Sequence, residues 1–366
     1  MKIRIPGLTI LDWYIIKKFL GTFIYSISLL QIIIIIFDVS ERIDDFIKKD
    51  APLHAIIFDY YLNFLPFFIN MFISLFCFIS VIFFTSKLAA RTEIIAMLNS
   101  GMSFRRLMRP YLLASGFLAI SSILLSNYVI PITNEGLRNF ELKYIKAKKN
   151  VTNTNIHMQI EPGVFVYLES FDRNDKSGLR FTLEKFENQR LVSKLMADRA
   201  VYDSTKATWK LENWVIRNLK ADTIQTLSSG NTLDTAVRMT PSDFLVDAED
   251  MKIMTAPELN AFIEKERLKG SSNLSEFLVE KYRRTAFPLS AIILTIIGVS
   301  LSSRKVRGGI GMHLGLGIAI TFSYILFMQI TTVFSRFGNL PPLAAVWIPN
   351  ILYAILAIYL YRKAPK

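Results

Sequence analysis

FLGTFIYSISLLQIIIIIF, from Phe19 to Phe37, runs the width of a membrane without one charged side chain, and its reading decides the fold. Five further uncharged stretches follow: Tyr60 to Ser86, Pro110 to Asn134, Ala286 to Ser303, Gly308 to Ser335 and Phe337 to Tyr361. At 1.5 Å per helical residue each can cross a hydrocarbon core of about 30 Å, the fourth being the shortest. Helices are required, because lone open strands would leave backbone groups unpaired in lipid and the stretches lack the alternation of a barrel.

Short loops set the expected orientation, since cytoplasmic loops collect Lys and Arg. Lys2, Arg4, Lys17 and Lys18 precede the first span; Lys87, Arg91, Arg105, Arg106 and Arg109 join the second to the third; Arg304, Lys305 and Arg307 join the fourth to the fifth; Arg362, Lys363 and Lys366 end the chain. The first-to-second loop instead holds Asp38, Glu41, Asp44, Asp45 and Asp50 against Arg42, Lys48 and Lys49, and the fifth-to-sixth has only Arg336. Both termini are therefore expected in the cytoplasm, and the polar block from Glu135 to about Thr285 on the other side. The first stretch lacks a small-residue cleavage site after a short apolar core, so it reads as a retained anchor.

The chain is 52% hydrophobic with a net charge of +13, and much of that charge flanks the apolar stretches. Such basicity marks membrane orientation and gives no interleaved basic face for nucleic acid. The single cysteine, Cys77, lies within the second span, so no disulfide can form within the chain and the polar block must stand on its own core.

Within that block the period changes to two. Phe165–Leu168, Leu179–Leu183, Ala200–Tyr202, Thr208–Leu211 and Trp214–Ile216 are short β-type runs separated by turn-formers such as Glu161-Pro162-Gly163 and Asp172-Arg173-Asn174-Asp175. A sandwich, jelly roll or open barrel of antiparallel strands fits them. Phe165, Tyr167, Phe181, Leu183, Trp209 and Leu211 alternate along these runs and are expected to face inward, as a closed core or as a groove for acyl chains. Helical patterning resumes at Ala256, breaks at Gly270-Ser271-Ser272-Asn273 and continues from Leu274. The expected organisation is a first membrane half over 1–134, an all-β domain over 135–255, a helical connector over 256–285 and a second membrane half over 286–366.

Several chemistries are missing from the sequence. It has no GxxxxGK[ST] loop for ATP phosphates, and His54, His157 and His313 have no metal-ligand spacing. The glycines from Gly308 to Gly317 open a membrane helix and follow no soluble strand; small-residue packing through Gly311, Gly315 and Ala319 is the expectation. Gln31, Asn63, Asn70, Gln329 and Asn350 are expected to hydrogen-bond between helices. No metal, cofactor or catalytic centre is expected in this chain.

The segment KLAARTEIIAMLNSGMS, Lys87 to Ser103, is amphipathic from about residue 88 to 103 and lies between two spans. Ile94, Ile95, Met97, Leu98 and Met102 supply its apolar side, and Gly101 its stop. Glu93 is a lone acid among five basic residues, which suits a cationic partner.

With these residues the chain resembles the lipopolysaccharide-export permeases, the paired LptF/LptG proteins of diderm bacteria. Their cytoplasmic coupling helix carries an Arg-x-Glu-aliphatic-x-Ala pattern followed by Gly-x-Ser, matched by Arg91, Glu93, Ala96, Gly101 and Ser103. Leu11-Asp12-Trp13-Tyr14-Ile15, Asn134 to Phe140, Glu258 to Gly270, Tyr282 to Pro288 and Arg304 to Gly311 resemble further family segments in the same order, and the opening leans towards LptG. The resemblance implies a paired permease, a cytoplasmic ATPase dimer that uses ATP and Mg, and a β-jellyroll domain in the periplasm leading to a jellyroll bridge protein. It implies an inner-membrane protein with lipopolysaccharide as substrate, Glu93 engaging the ATPase, and lipid entering between the first span of one permease and the fifth of its partner. Where LptG-type members carry basic residues near the outer end of the first span, this chain offers Arg42, with Arg138 as a second candidate for the lipid phosphates. Two other readings fit the plan: a permease for another lipid or for lipoproteins, and a membrane-anchored assembly or sensory protein whose β domain only binds partners.

Overall fold

The computed structural model describes residues 9–145, 152–172, 175–220, 224–237, 239–241, 250–269, 273–304 and 309–364. Lys2, Arg4, Lys305, Arg307, Gly308 and Lys366 from the charge pattern, and Arg173, Asn174 and Gly270 to Ser272 from the turn and helix-break patterns, lie outside them. The chain forms two compact units, Met1–Ile145 with Ser275–Lys366, and Lys146–Leu274.

The first unit is helical. Among the described residues six helices are long and apolar enough to cross a membrane: α1 (Ile10–Lys48), α2 (Leu53–Ala90), α4 (Phe104–Tyr144), α6 (Leu274–Ser302), α7 (Gly309–Phe337) and α8 (Pro342–Lys363). A short helix, α3 (Glu93–Asn99), sits in the turn between α2 and α4. The helices overrun their apolar stretches because capped and charged ends continue the same backbone ladder. In α1, Thr9 and Asp12 form a reciprocal capping box. Single π-type turns interrupt α2 at Ile56–Tyr61 and α4 at Leu125–Val129.

Helix α2 is central, and neutral polar groups tie it to its neighbours. Ser74 and Ser290 hydroxyls lie 2.7 Å apart, the Cys77 thiol is 3.4 Å from the Thr295 hydroxyl, and Asn70 accepts from Ser122 at 2.6 Å and donates to Ser126 at 2.9 Å. Asn350 does the same for α8, accepting from Tyr324 at 3.0 Å and donating to the Ala286 carbonyl at 2.9 Å. Gln31 differs: it is buried, and neither amide atom has a hydrogen-bond partner among the described residues. Asn63 bonds within its own helix, to the Asp59 carbonyl. Close helix packing runs through Gly298, against Phe78 and Val81, and through Gly317, where a Cβ would stand 2.2 Å from Ile82 Cδ1. Gly311 and Gly315 have no neighbour within 4 Å of a Cβ position, so the expected packing stripe faces away from this chain's own helices.

The second unit is one antiparallel sheet in which each strand follows its neighbour: β1 (Thr152–Glu161), β2 (Val164–Asp172), β3 (Ser177–Glu187), β4 (Arg190–Asp203), β5 (Thr208–Lys220) and β6 (Ile224–Thr235). Phe171 in β2 and Trp209 in β5 stand three strand positions apart, about 14 Å in a flat sheet. Their ring centroids are 6.2 Å apart, so the sheet curls around them. A core of Met158, Val166, Leu168, Phe181, Ala197 and Leu211 fills the concave side. Helix α5 (Ala256–Lys269) packs on β1 and starts at its own capping contact, Glu258 accepting from the Thr255 amide and hydroxyl at 2.8 and 2.7 Å.

A seam crosses the sheet. Asn155, Glu169, Arg180, Asp198 and Asn213 share one row that drops out of the ladder. Asn155, Arg180 and Asn213 take left-handed φ values of 55°, 50° and 52°. Past this row the inward side changes parity, from Leu168 to Phe171 in β2 and from Ala197 to Ala200 in β4.

Candidate functional site

The turn that carries α3 is built by backbone geometry. Helix α2 ends at Ala90, and Thr92 turns the chain with φ of +61°, an uncommon conformation for a β-branched residue. Gly101 then turns it back at φ of +88°, where a side chain would be strained. Ser103 caps α4, its hydroxyl accepting from the Arg106 amide at 3.3 Å. Gly101 and Ser103 thus shape the turn, while Arg91 and Ala96 lie exposed on it with Ile95, Asn99 and Ser100. Ile94 anchors α3 in a core shared with Ile15, Phe19, Leu88, Ala89, Phe104 and Leu107, and the Phe104 ring lies 5.6 Å from that of Tyr361 in α8. Helix α3 is therefore a seated element with one apolar root and one polar outward face.

Glu93 is half-buried at the start of α3, and the Tyr14 hydroxyl of α1 donates to it at 3.5 Å, a long contact. Of the five basic residues around this turn, Arg106 is taken: it grips Asp12 with two bonds of 2.6 Å. Lys87, Arg91, Arg105 and Arg109 remain exposed.

At the other end of α1, Arg42 donates to Asp38 at 3.0 Å and lies over the Tyr60 ring. Asp38 also accepts from the Tyr60 and Tyr61 hydroxyls at 3.1 and 3.2 Å, both carried by the π turn of α2. The rings of Phe46, Tyr60, Phe64 and Phe140 pack beside this group. Arg138 is half-buried on α4, two residues before Phe140 and so on another side of that helix. Asp38 and the two tyrosines join Arg42.

The β-domain candidates part company. Phe181 and Trp209 are fully buried in the concave core, and the Trp209 Nε1 donates to the Met239 carbonyl at 3.0 Å. Phe165 lies on the opposite face, 41% exposed, its ring against Phe186. Val166 takes the inward place, paired to Leu183. Phe165 and Tyr167 are thus not inward residues, because the inward places of β2 before the seam are Val166 and Leu168.

The model of the family described as lipopolysaccharide export system permease LptF/LptG matches residues 13–363, through both helical halves and the sheet. The chain belongs to the LptF/LptG family. Two curated relatives, the lipopolysaccharide export system permease protein LptG of Escherichia coli strain K12 and that of Escherichia coli O6:H1 strain CFT073, are each 19% identical over 280 residues, covering 75% of this chain and 77% of theirs. With six apolar helices, an LptF/LptG permease is a multi-pass protein of the inner membrane, a transporter component for lipopolysaccharide export that works with a permease partner. Sequence reasoning missed Asp12, Tyr14, Thr92 and Arg106 at the α3 turn, and Asp38, Tyr60 and Tyr61 at the other end. The Thr9-x-x-Asp12 and Asp38-to-Arg42 spacings are readable local signals; the Tyr60 and Tyr61 partners of Asp38 and the Arg106 partner of Asp12 come from other helices and leave no local pattern.

Proposed function

We propose that this LptF/LptG permease is one half of an ATP-driven lipopolysaccharide extractor. A separate ATPase dimer, using ATP and Mg, docks on the outward face of α3, with Glu93 meeting a basic groove and Arg91 and Ala96 in contact. Both termini and α3 lie in the cytoplasm and the sheet unit in the periplasm. The observation that carries the reading is α3 itself, rooted by Ile94 in the helical core and presenting Arg91, Ile95, Ala96 and Asn99 outward beside a half-buried acid. An isolated interfacial helix needs no such rigid seat.

The paired permease meets the exposed stripe of Gly311, Gly315 and Ala319 on α7, which suits close approach of a second helix. Lipid enters between α1 of one permease and α7 of the other, with Arg42 and Arg138 as candidate phosphate contacts. Acyl chains then pass along the concave side of the sheet, past Phe181 and Trp209, when its core opens during turnover, and reach a periplasmic jellyroll bridge through the polar edge strand β6. Purification from native membrane with identification of bound protein and lipid tests this. A P-loop ATPase, a second permease and lipopolysaccharide should copurify; another lipid class, or no ATPase, would refute it.

A further inference from the structure

One polar contact at the α3 turn has no part in docking and none in lipid binding. Asp12, its side chain 4% exposed, accepts both Arg106 guanidinium nitrogens at 2.6 Å and both the amide and the hydroxyl of Thr9, at 2.8 and 2.9 Å. Arg106 also donates to the Thr9 hydroxyl at 3.1 Å. A bidentate charge-assisted pair of this kind fixes orientation as well as distance. Two residues further along α1, Tyr14 reaches Glu93. The first turns of α1 are thus gripped at the start of α4 through Arg106, with Tyr14 only in long contact with the start of α3, while Ile15, Ile16 and Phe19 share the core that seats Ile94. Beyond this grip α1 is the least enclosed of the six long helices: 22% of its apolar window is buried, against 33% or more in the others. The far end of α1 is tied to α2 through Asp38 with Tyr60 and Tyr61, so displacement of the gripped end would tilt or bend the sparsely packed stretch between the two ties.

We infer that the Asp12–Arg106 pair is the joint through which displacement of the α3 turn is passed to α1. Arg106 is a positioning residue in this scheme. Its guanidinium is engaged by Asp12 and Thr9 of the α1 start, so it acts on transport through the helix it holds. The inference rests on the proposal that an ATPase docks at α3.

The test uses the complete complex of this chain, its permease partner and the ATPase in lipid nanodiscs and proteoliposomes. Asp12→Asn and Arg106→Gln should retain ATPase copurification and keep ATP hydrolysis within about twofold of wild type, while ATP-dependent lipopolysaccharide release falls tenfold or more. A double variant, Asp12→Cys with Arg106→Cys, should be uncoupled when reduced and recover release when the two thiols are bridged by a short bifunctional thiol reagent; the buried Cys77 stays silent. Release at the wild-type level in both neutral variants would overturn the joint. So would failure of the bridge to restore release, or loss of ATPase binding in step with release, since a merely structural pair gives either result. If the wild-type complex itself retains no ATPase, the docking proposal falls, and the joint with it.

Discussion

Truncating Trp209 to alanine asks whether the sheet's interior is a sealed core at rest. The indole is fully buried between Phe171 and Tyr202 and donates to the Met239 carbonyl. Loss of a buried aromatic side chain costs roughly 3 to 5 kcal/mol once the cavity is counted. The orphaned Met239 carbonyl keeps the expected loss off the bottom of that range. Taking about 4 kcal/mol, the open population of the sheet rises roughly a thousandfold, at 1.4 kcal/mol per factor of ten. Native-state amide exchange on the full-length protein in detergent reads this directly, at the amides of the β3, β4 and β5 ladders. Trp214→Ala serves as the comparison: Trp214 is half-buried and its Nε1 has no hydrogen-bond partner among the described residues, so its truncation should accelerate exchange much less. If Trp209→Ala costs under about 1 kcal/mol, or no more than Trp214→Ala, the concave side is an open groove at rest and the sealed-core account is wrong.

In the exporting complex, photo-crosslinkers at Phe181 and Trp209 should capture lipid only while ATP is being hydrolysed; capture without nucleotide, or none during export, would remove the transient interior route. In intact spheroplasts, an impermeant thiol reagent should label cysteines at the exposed positions Lys176 and Ser229 and spare Ser103→Cys; labelling at Ser103 would invert the topology. The Glu258 carboxyl is held below its ordinary value by the Thr255 hydroxyl and amide. Its support of α5 is therefore complete above the usual glutamate range and is lost as pH falls through the lowered value. Protection of the amides at the start of α5, taken relative to their intrinsic exchange rates, should fall as pH drops below the usual glutamate range, and Glu258→Gln should abolish that dependence.

The helical half of the fold was legible because a membrane span needs only a long uncharged run, and all six runs became helices. Their true ends were not, since caps such as Thr9 with Asp12 extend α1 well beyond Phe19. The β unit was legible as short alternating runs, but its inward faces were not. All four residues of Phe165–Leu168 are apolar, so counting cannot tell whether Phe165 and Tyr167 or Val166 and Leu168 face inward, and further along the Asn155-to-Asn213 row flips the parity in the middle of the sheet. At the α3 turn the sequence exposed Glu93 as a lone acid and Gly101 as a stop. It hid the Arg106 grip because Asp12 lies 94 residues away in the chain. The glycines of α7 show the same limit: small residues mark a close approach, and only the structure separates Gly317, packed on Ile82, from Gly311 and Gly315, which face outward.

The central claim, that an ATPase drives this permease through α3, is tested most directly by ATP-dependent release of lipopolysaccharide from proteoliposomes holding this chain, its permease partner and the ATPase, comparing wild type with Glu93→Arg. Reversing a charge at a docking contact costs on the order of 2 to 5 kcal/mol, enough to lower ATPase association at least tenfold. The account predicts that Glu93→Arg inserts in the membrane at normal levels but loses release together with ATPase binding or coupled hydrolysis. Release and hydrolysis equal to wild type in the Glu93→Arg complex would contradict it.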